Sequence, residues 1–176
     1  MSDSHYSLSI ATAPTIEPVT TAECKQQCNV THEDDNALFE LQLIPAARSF
    51  VEHTWNRSLV TQTLRFTMDK FPSQPANGDA GRGIIYLPRP PAIAVSSITY
   101  LDLDGVSQTF AASKYIVDVY SEPARIQPAY QQIWPTPRPQ VNTVTVNYTA
   151  GHGGATDILK QAAVPPAFKQ AIFLIV

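Results

Sequence analysis

The chain has 176 residues, a formal net charge of −3 and only 15% charged residues, whereas about a quarter of the residues are charged in typical globular domains. This length suits one domain with a full core, or one domain with a helical appendage. The acidic balance excludes a module that grips DNA through a basic stripe, although not a protein that surrounds DNA without holding it. We expect no secretory signal and no membrane span, because no apolar run is long enough.

Two features at the start of the chain predict where order begins. Residues 1–17 are polar and irregular in pattern, so we predict a flexible or partner-bound arm there. Thr20 and Glu23 have the spacing of a capping box, in which each side chain satisfies a free backbone N–H of the first helical turn. They predict a short helix over 21–28, which Asn29 ends.

A second and longer helix is predicted after Asp34 or Asp35, either of which is a suitable N-cap. Apolar residues recur at helical spacing from Leu38 to Trp55. Pro45 lies inside this pattern and cannot donate a helical backbone hydrogen bond, so we expect a kink there or two shorter helices.

The hydrophobic period changes from helical to alternating after residue 56. Leu64, Phe66 and Met68 alternate with polar residues and predict a half-buried strand over 59–69. Similar short runs predict strands at 84–87, 115–119, 124–127 and 143–149.

Asp104-Gly105 is a dipeptide preferred by two-residue β-hairpin turns, and it predicts a hairpin over 98–110. With these two residues as the loop, Thr99 lies opposite Phe110. One face then carries apolar side chains that we expect to be buried: Leu101, Leu103, Val106 and Phe110.

The last segment predicts a helix that starts at Pro165-Pro166 and runs to the final residue. Its apolar residues either pack back on the region 38–55 or enter a partner. The whole pattern predicts an α+β fold in which N-terminal helices and a C-terminal helix bracket an inserted antiparallel β-sheet or sandwich domain. The predicted parts are a flexible arm at 1–17, a helical part at 18–57, a β domain at 58–150, and a loop with the C-terminal helix at 151–176.

Cys24, Cys28 and His32 are spaced by four residues, which would align them on one helical face as possible zinc ligands. Closed zinc sites usually have four ligands, and Asn29 is expected to end the helix before His32, so we predict no metal site. The chain contains no other cysteine that could form a disulfide with Cys24 or Cys28, so these two thiols indicate a reduced, intracellular setting.

No motif predicts catalysis. The sequence contains no GxSxG, no HExxH and no paired carboxylates in a convincing frame. The glycine-rich loop at 151–154 lacks the GK[ST] ending of a phosphate-binding loop, and the acidic cluster at 33–35 is explained by helix capping. We therefore predict that the protein is not an enzyme, with no catalytic residues and no cofactor.

The order of the segments is more specific than any single motif. From about residue 17 onward the chain reads EPVTTAECKQQCNV, then DDNALFELQLIPAARSFVEHTWNRSLVTQTLRFTMDKFP, then IYLPRPPAIAVSSITYLDLDGVSQTF, then YIVDVYSEPARIQP, then VNTVTVNYTAGHGG, and finally VPPAFKQAIFLIV. In this order it resembles the head-to-tail connector, or adaptor, proteins of long-tailed bacteriophages and related gene-transfer particles.

The resemblance implies a structural subunit of the virion neck that assembles in the host cytoplasm. In that family the subunits form a ring, commonly of twelve, beneath the portal protein. The ring extends the DNA channel and receives the stopper or tail-completion protein. DNA would pass through the lumen without sequence-specific binding, and a mildly negative wall would let it slide.

The resemblance also implies where partners bind. In the family the carboxyl-terminal region docks on the portal, which points here to Phe168, Ile172, Phe173 and Ile175. We further predict that the hairpin side chains Ile98, Tyr100 and Thr109 meet a neighbouring subunit.

Two alternatives stay open at this point. One is a stopper or tail-completion protein of the same particle, and the other, from a different class, is a small enzyme or sugar-binding module with a β-sandwich. A sugar-binding face would show a row of exposed aromatic rings, but Tyr100, Phe110 and Trp134 do not fall on one predicted strand face.

Overall fold

The computed structural model of the protein describes residues 5–73 and 83–176. The chain divides into two compact units, which we name the β unit (Met1–Ala13 and Thr63–Ala150) and the helical unit (Pro14–Gln62 and Gly151–Val176). Helices occur on both sides of the inserted strands, and every pair of strands with a resolved register is antiparallel. The predicted α+β class is therefore confirmed.

The helical unit begins with α1 (Thr21–Cys28), as the capping box predicts. The backbone N–H of Glu23 donates to the Thr20 side chain (3.2 Å), and the Glu23 carboxylate accepts from the Thr20 backbone N–H (2.7 Å). Asn29 ends the helix in the left-handed conformation, which asparagine adopts at lower cost than most residues.

The longer helical segment is continuous, but it contains a π-helical turn just before the proline. It consists of α2 (Asn36–Leu38), a π-helical turn (Phe39–Leu43) and α3 (Ile44–Thr54). Pro45 cannot donate to the carbonyl of Leu41, and the N–H of Ile44 instead reaches back to the carbonyl of Phe39. The predicted interruption is thus a widened turn that precedes Pro45. Asp35 occupies the N-cap position, although its side chain makes no capping bond.

Two helices close the helical unit, α4 (Asp157–Ala163) and α5 (Pro166–Ile175). The sequence predicted α5 and missed α4, whose N-cap Thr156 accepts a bond from the N–H of Leu159 (3.3 Å). α5 packs against α3, and the ring of Phe168 meets that of Trp55 edge-on at 6.0 Å between centroids. Of the two alternatives for the last helix, packing back on the chain is the one observed.

The β unit contains two sheets. A five-stranded sheet has the order β1-β2-β8-β4-β5, and a three-stranded sheet has the order β3-β7-β6. The strands are β1 (Tyr6–Thr12), β2 (Gln62–Met68), β3 (Ile85–Tyr86), β4 (Ala92–Leu101), β5 (Ser107–Thr109), β6 (Tyr115–Asp118), β7 (Arg125–Pro128) and β8 (Val144–Ala150). Their shared core includes a stack of Phe71 on Trp134 at 4.8 Å, and the indole N–H of Trp134 donates to the carbonyl of Gly83 (2.6 Å).

The prediction of an irregular arm over residues 1–17 is wrong for Tyr6–Thr12. These residues form β1, which pairs antiparallel to β2 with Leu8 opposite Phe66 and Ile10 opposite Leu64. The alternation of Tyr6, Leu8 and Ile10 is a strand pattern, but the partner that makes it a strand lies far along the chain.

The predicted hairpin register is wrong by one residue. Thr99 lies opposite Thr109, not Phe110, because the loop has three residues and ends at Gly105 with φ of 84°. The carboxylate of Asp102 fixes this loop by accepting from the N–H groups of Asp104 (3.1 Å) and Val106 (2.8 Å). A three-residue loop with a left-handed glycine is a common alternative to the two-residue turn.

The shift in register changes which hairpin side chains are buried. Leu103 and Val106, which were predicted to be buried, are 64% and 55% exposed. Leu101 is half-buried, and Phe110 is buried as predicted.

A buried carboxylate connects α3 to the segment that leads into β2. Glu52 is 2% exposed, and one of its oxygens accepts from the N–H of Leu59 (2.8 Å) and from the side-chain amide of Gln62 (3.0 Å). Its other oxygen accepts from Arg48 (3.2 Å), whose Nε also donates to Glu17 (2.7 Å). The charge is compensated because each oxygen has a donor.

We expect Glu52→Ala to lower the free energy of unfolding by about 3–5 kcal/mol, since it leaves the buried N–H of Leu59 and the amide of Gln62 without their acceptor and removes one of the two carboxylates that Arg48 contacts. Urea unfolding of the full chain measures this. The matched control is Glu40→Ala, because Glu40 is exposed and accepts a long bond from the Thr21 hydroxyl at 3.3 Å, so its cost should stay below about 1 kcal/mol. Glu52→Gln, which keeps the shape, should fall between the two. Equal costs at Glu52 and Glu40 would contradict the structural role.

Candidate assembly surfaces

The three residues spaced as possible zinc ligands lie in different environments. Cys24 is buried and Cys28 is exposed, while Nε2 of His32 lies 3.6 Å from the Asp35 carboxylate. Within residues 5–73 and 83–176, no group of three or more His, Cys, Asp or Glu side chains is placed to hold a metal ion. In the same part of the chain, no helix is both long and apolar enough to cross a membrane.

The predicted portal-docking residues occupy different environments on α5. Ile172 is fully buried in the core of the helical unit, so it is not available to a partner. Phe168 and Phe173 are half-buried and pack against the same core. Ile175 is 45% exposed, and its neighbour Leu174, which the sequence reasoning passed over, is 76% exposed. The accessible part of this candidate surface is therefore the end of α5.

The predicted subunit-contact residues on the hairpin are also divided. Ile98 is fully buried in the core of the β unit, which excludes it from a contact with a neighbour. Tyr100 is half-buried and packs against that core, whereas Thr109 is exposed on the edge strand β5. The prediction placed Ile98 on an outer face because it used the wrong hairpin register.

Further exposed apolar side chains lie on β1 and α4, two elements that the sequence did not predict. Tyr6 and Ile10 on β1 are 67% and 48% exposed, and Ile158 and Leu159 on α4 are 77% and 52% exposed. The signal that could have found the first pair is the alternation over residues 6–10. Large apolar side chains at solvent-facing positions often mark surfaces that become buried on association.

An open depression of about 450 Å³ lies between α1 and the start of the second helical segment. Its polar side chains already bond to each other: Nζ of Lys25 donates to Asn36 (2.8 Å), and the Thr21 hydroxyl donates to Glu40 (3.3 Å). Glu33 also lines the wall. The polar side chains of this depression therefore form contacts between the two helical segments.

No family model matches the sequence, and a search of curated proteins finds no match either. Several solved structures, however, contain chains of the same fold. One is described as the neck of an empty gene transfer agent particle computed with C6 symmetry (21% identity, TM-score 0.73). Another is the virion of a native gene transfer agent particle (22% identity, TM-score 0.68), and a third is the neck of a native particle computed with C12 symmetry (22% identity, TM-score 0.64).

Each of these comparisons covers 96% of this chain and 80% of the other chain. At such identities the likeness establishes the fold. The resemblance to phage and gene-transfer connector proteins, which the sequence predicted, is confirmed at that level: the protein has a fold that occurs in chains of gene transfer agent particles.

The two cysteines should differ in reactivity. Burial, with smaller contributions from Cys28 and Glu23, raises the pKa of the Cys24 thiol to about 11, so at pH 8 it is both shielded and protonated. We expect iodoacetamide to modify Cys28 in the native protein at least about a hundredfold faster than Cys24. Mass spectrometry of digested samples assigns the sites, and labelling in urea, where both should react, serves as the control. Equal rates in the native protein would show that α1 does not bury Cys24.

Proposed function

We propose that the protein is a structural subunit of the neck of a phage-like particle, where copies form a ring beneath the portal. The ring would extend the DNA channel from head to tail and receive a stopper or tail-completion protein. In this role the chain binds other proteins and encloses DNA, without a catalytic step or a cofactor.

One observation carries the proposal: the likeness to chains of gene transfer agent particles extends over 96% of this chain. It therefore includes the helices at both ends as well as the two sheets. Because a fold can serve several functions, the surface supplies the second support. Only 15% of the residues are charged, and large apolar side chains such as Tyr6 and Leu174 are mostly exposed.

The test is to image the full-length protein by electron microscopy, alone and with the portal protein encoded in the same genome. We expect rings of the protein stacked on one end of the portal rings. Failure to form rings on the portal would overturn the adaptor role. Binding only after another neck protein has been added would instead identify a stopper or tail-completion protein.

Within this proposal, the end of α5 is the portal-docking surface, as Ile175 and Leu174 are its accessible apolar side chains. Leu174→Asp combined with Ile175→Asp should weaken portal binding at least about a hundredfold, since a charge would have to lose water in an apolar contact. Biolayer interferometry with immobilised portal rings measures the affinity.

The matched control is Ile158→Asp combined with Leu159→Asp, which adds the same charges to exposed positions of α4 in the same unit. Thermal unfolding of each variant checks that the fold is kept. If the α4 variant lost portal binding and the α5 variant kept it, the docking surface would lie on α4 instead.

A further inference from the structure

The strand β1 leaves one side of its backbone open. It is the end strand of the five-stranded sheet, and in the described part of the chain its one strand neighbour is β2. The N–H and C=O groups that point away from β2 form a row that another strand can pair with. Edge strands are usually protected by charges, prolines or short length, but β1 has seven residues, YSLSIAT, with neither a charge nor a proline.

The same strand extends the apolar face of the sheet beyond the core. Tyr6, Leu8 and Ile10 lie opposite Met68, Phe66 and Leu64, respectively, and these three partners are buried. Across a pair of strands, opposite residues share one face. Leu8 packs against the core, yet Tyr6 and Ile10 remain 67% and 48% exposed. An added strand would lie beside Tyr6 and Ile10, with its side chains against theirs, and would also satisfy the open backbone.

The opposite end of the sheet offers a matching edge. β5 has three exposed, uncharged residues, Ser107, Gln108 and Thr109, and Val106 before them is 55% exposed. Phe110 is buried in the core, so alternation places Gln108 and Val106 on the core-facing side. Joining β5 of one copy to β1 of another would therefore continue the sheet and would place Val106 on the same side as Tyr6 and Ile10.

We propose that β1 of each copy pairs with β5 of the next copy, so that the sheet runs from subunit to subunit around the ring. This proposal rests on the proposed function, which supplies the ring. Contact between two different surfaces of identical subunits is what closes a ring, and it uses both edges of every copy. Pairing of β1 with β1 would stop at a dimer and leave both β5 edges open. Symmetry of the required kind is present in the C12 neck that contains a chain of this fold.

Disulfide trapping in the full-length chain tests the pairing. In a Cys28→Ser background, Ser9→Cys and Ser107→Cys are made in separate proteins, one of them with a mass tag, and the two are mixed with the portal under mild oxidation. Both serines lie on the side of the sheet opposite the core, by alternation from Leu8 and Gln108, and a disulfide needs Cβ atoms about 4 Å apart. Ser7→Cys replaces Ser9→Cys in a second mixture, which samples the neighbouring register.

We expect cross-linked heterodimers in at least one mixture and none in either protein alone. Ser113→Cys is the control for Ser107→Cys, because Ser113 is an exposed serine of the same unit outside the two edges, and it should not cross-link to β1. Self-cross-linking of Ser9→Cys would overturn the proposal in favour of a β1–β1 dimer. Rings on the portal without any cross-link from β1 to Ser107 would overturn the strand pairing and leave the adaptor role intact. Cross-links without portal-bound rings would support the strand pairing and overturn the adaptor role.

A second variant tests the edge without cysteines. Tyr6→Lys combined with Ile10→Lys adds the charges that protect natural edge strands and should reduce the number of rings seen on the portal at least tenfold. Tyr130→Lys combined with Ile133→Lys is the control, because these side chains are 80% and 73% exposed on a loop. Circular dichroism verifies that both variants are folded. Rings of normal abundance with the β1 lysines would contradict the pairing.

Discussion

The carboxylate of Glu52 is the contact on which the geometry of the helical unit depends. A charge that is 2% exposed is tolerated only when donors surround it, and two of its donors, Leu59 and Gln62, lie beyond the end of α3. The segment leaving the helix is therefore held in one position. Val60 in that segment forms a β-bridge with His152. Gly151, just before His152, has a φ of 112°, and the carbonyl of Val60 occupies the space that a side chain would need. Only glycine therefore fits at position 151.

Function within an assembly would explain both the low charge of the sequence and its exposed apolar side chains. An isolated soluble chain gains little from exposed groups such as Leu174 and Tyr6, whereas a subunit buries them against its neighbours. The open edge of β1 follows the same logic, because unpaired backbone groups in a long uncharged strand are a hazard unless another strand covers them. Structure and composition thus agree with a protein whose exposed apolar side chains and open strand edge become buried when it associates with other subunits.

The differences between prediction and structure have two sources, a local contact in the hairpin and packing between distant segments elsewhere. The sequence indicates a hairpin through Asp104-Gly105, but the register depends on the Asp102 carboxylate, which favours the longer loop. The wrong register placed Ile98 on an outer face, and the family resemblance placed Ile172 in a docking surface, yet both side chains are fully buried. Neither source shows which element of this chain covers a given apolar side chain. For this reason the candidate surfaces were predicted less well than the helices and strands.

Local signals in the sequence account for α1 through the Thr20–Glu23 capping box, for β2 and β8 through strict alternation, and for α5 through its proline start. These signals act between residues a few positions apart, so the order of side chains is sufficient. The tertiary structure decided that residues 6–12 form a strand, how the strands are ordered in each sheet and which apolar residues remain exposed. Those outcomes depend on pairing and packing between distant segments, whose free energies no local pattern encodes.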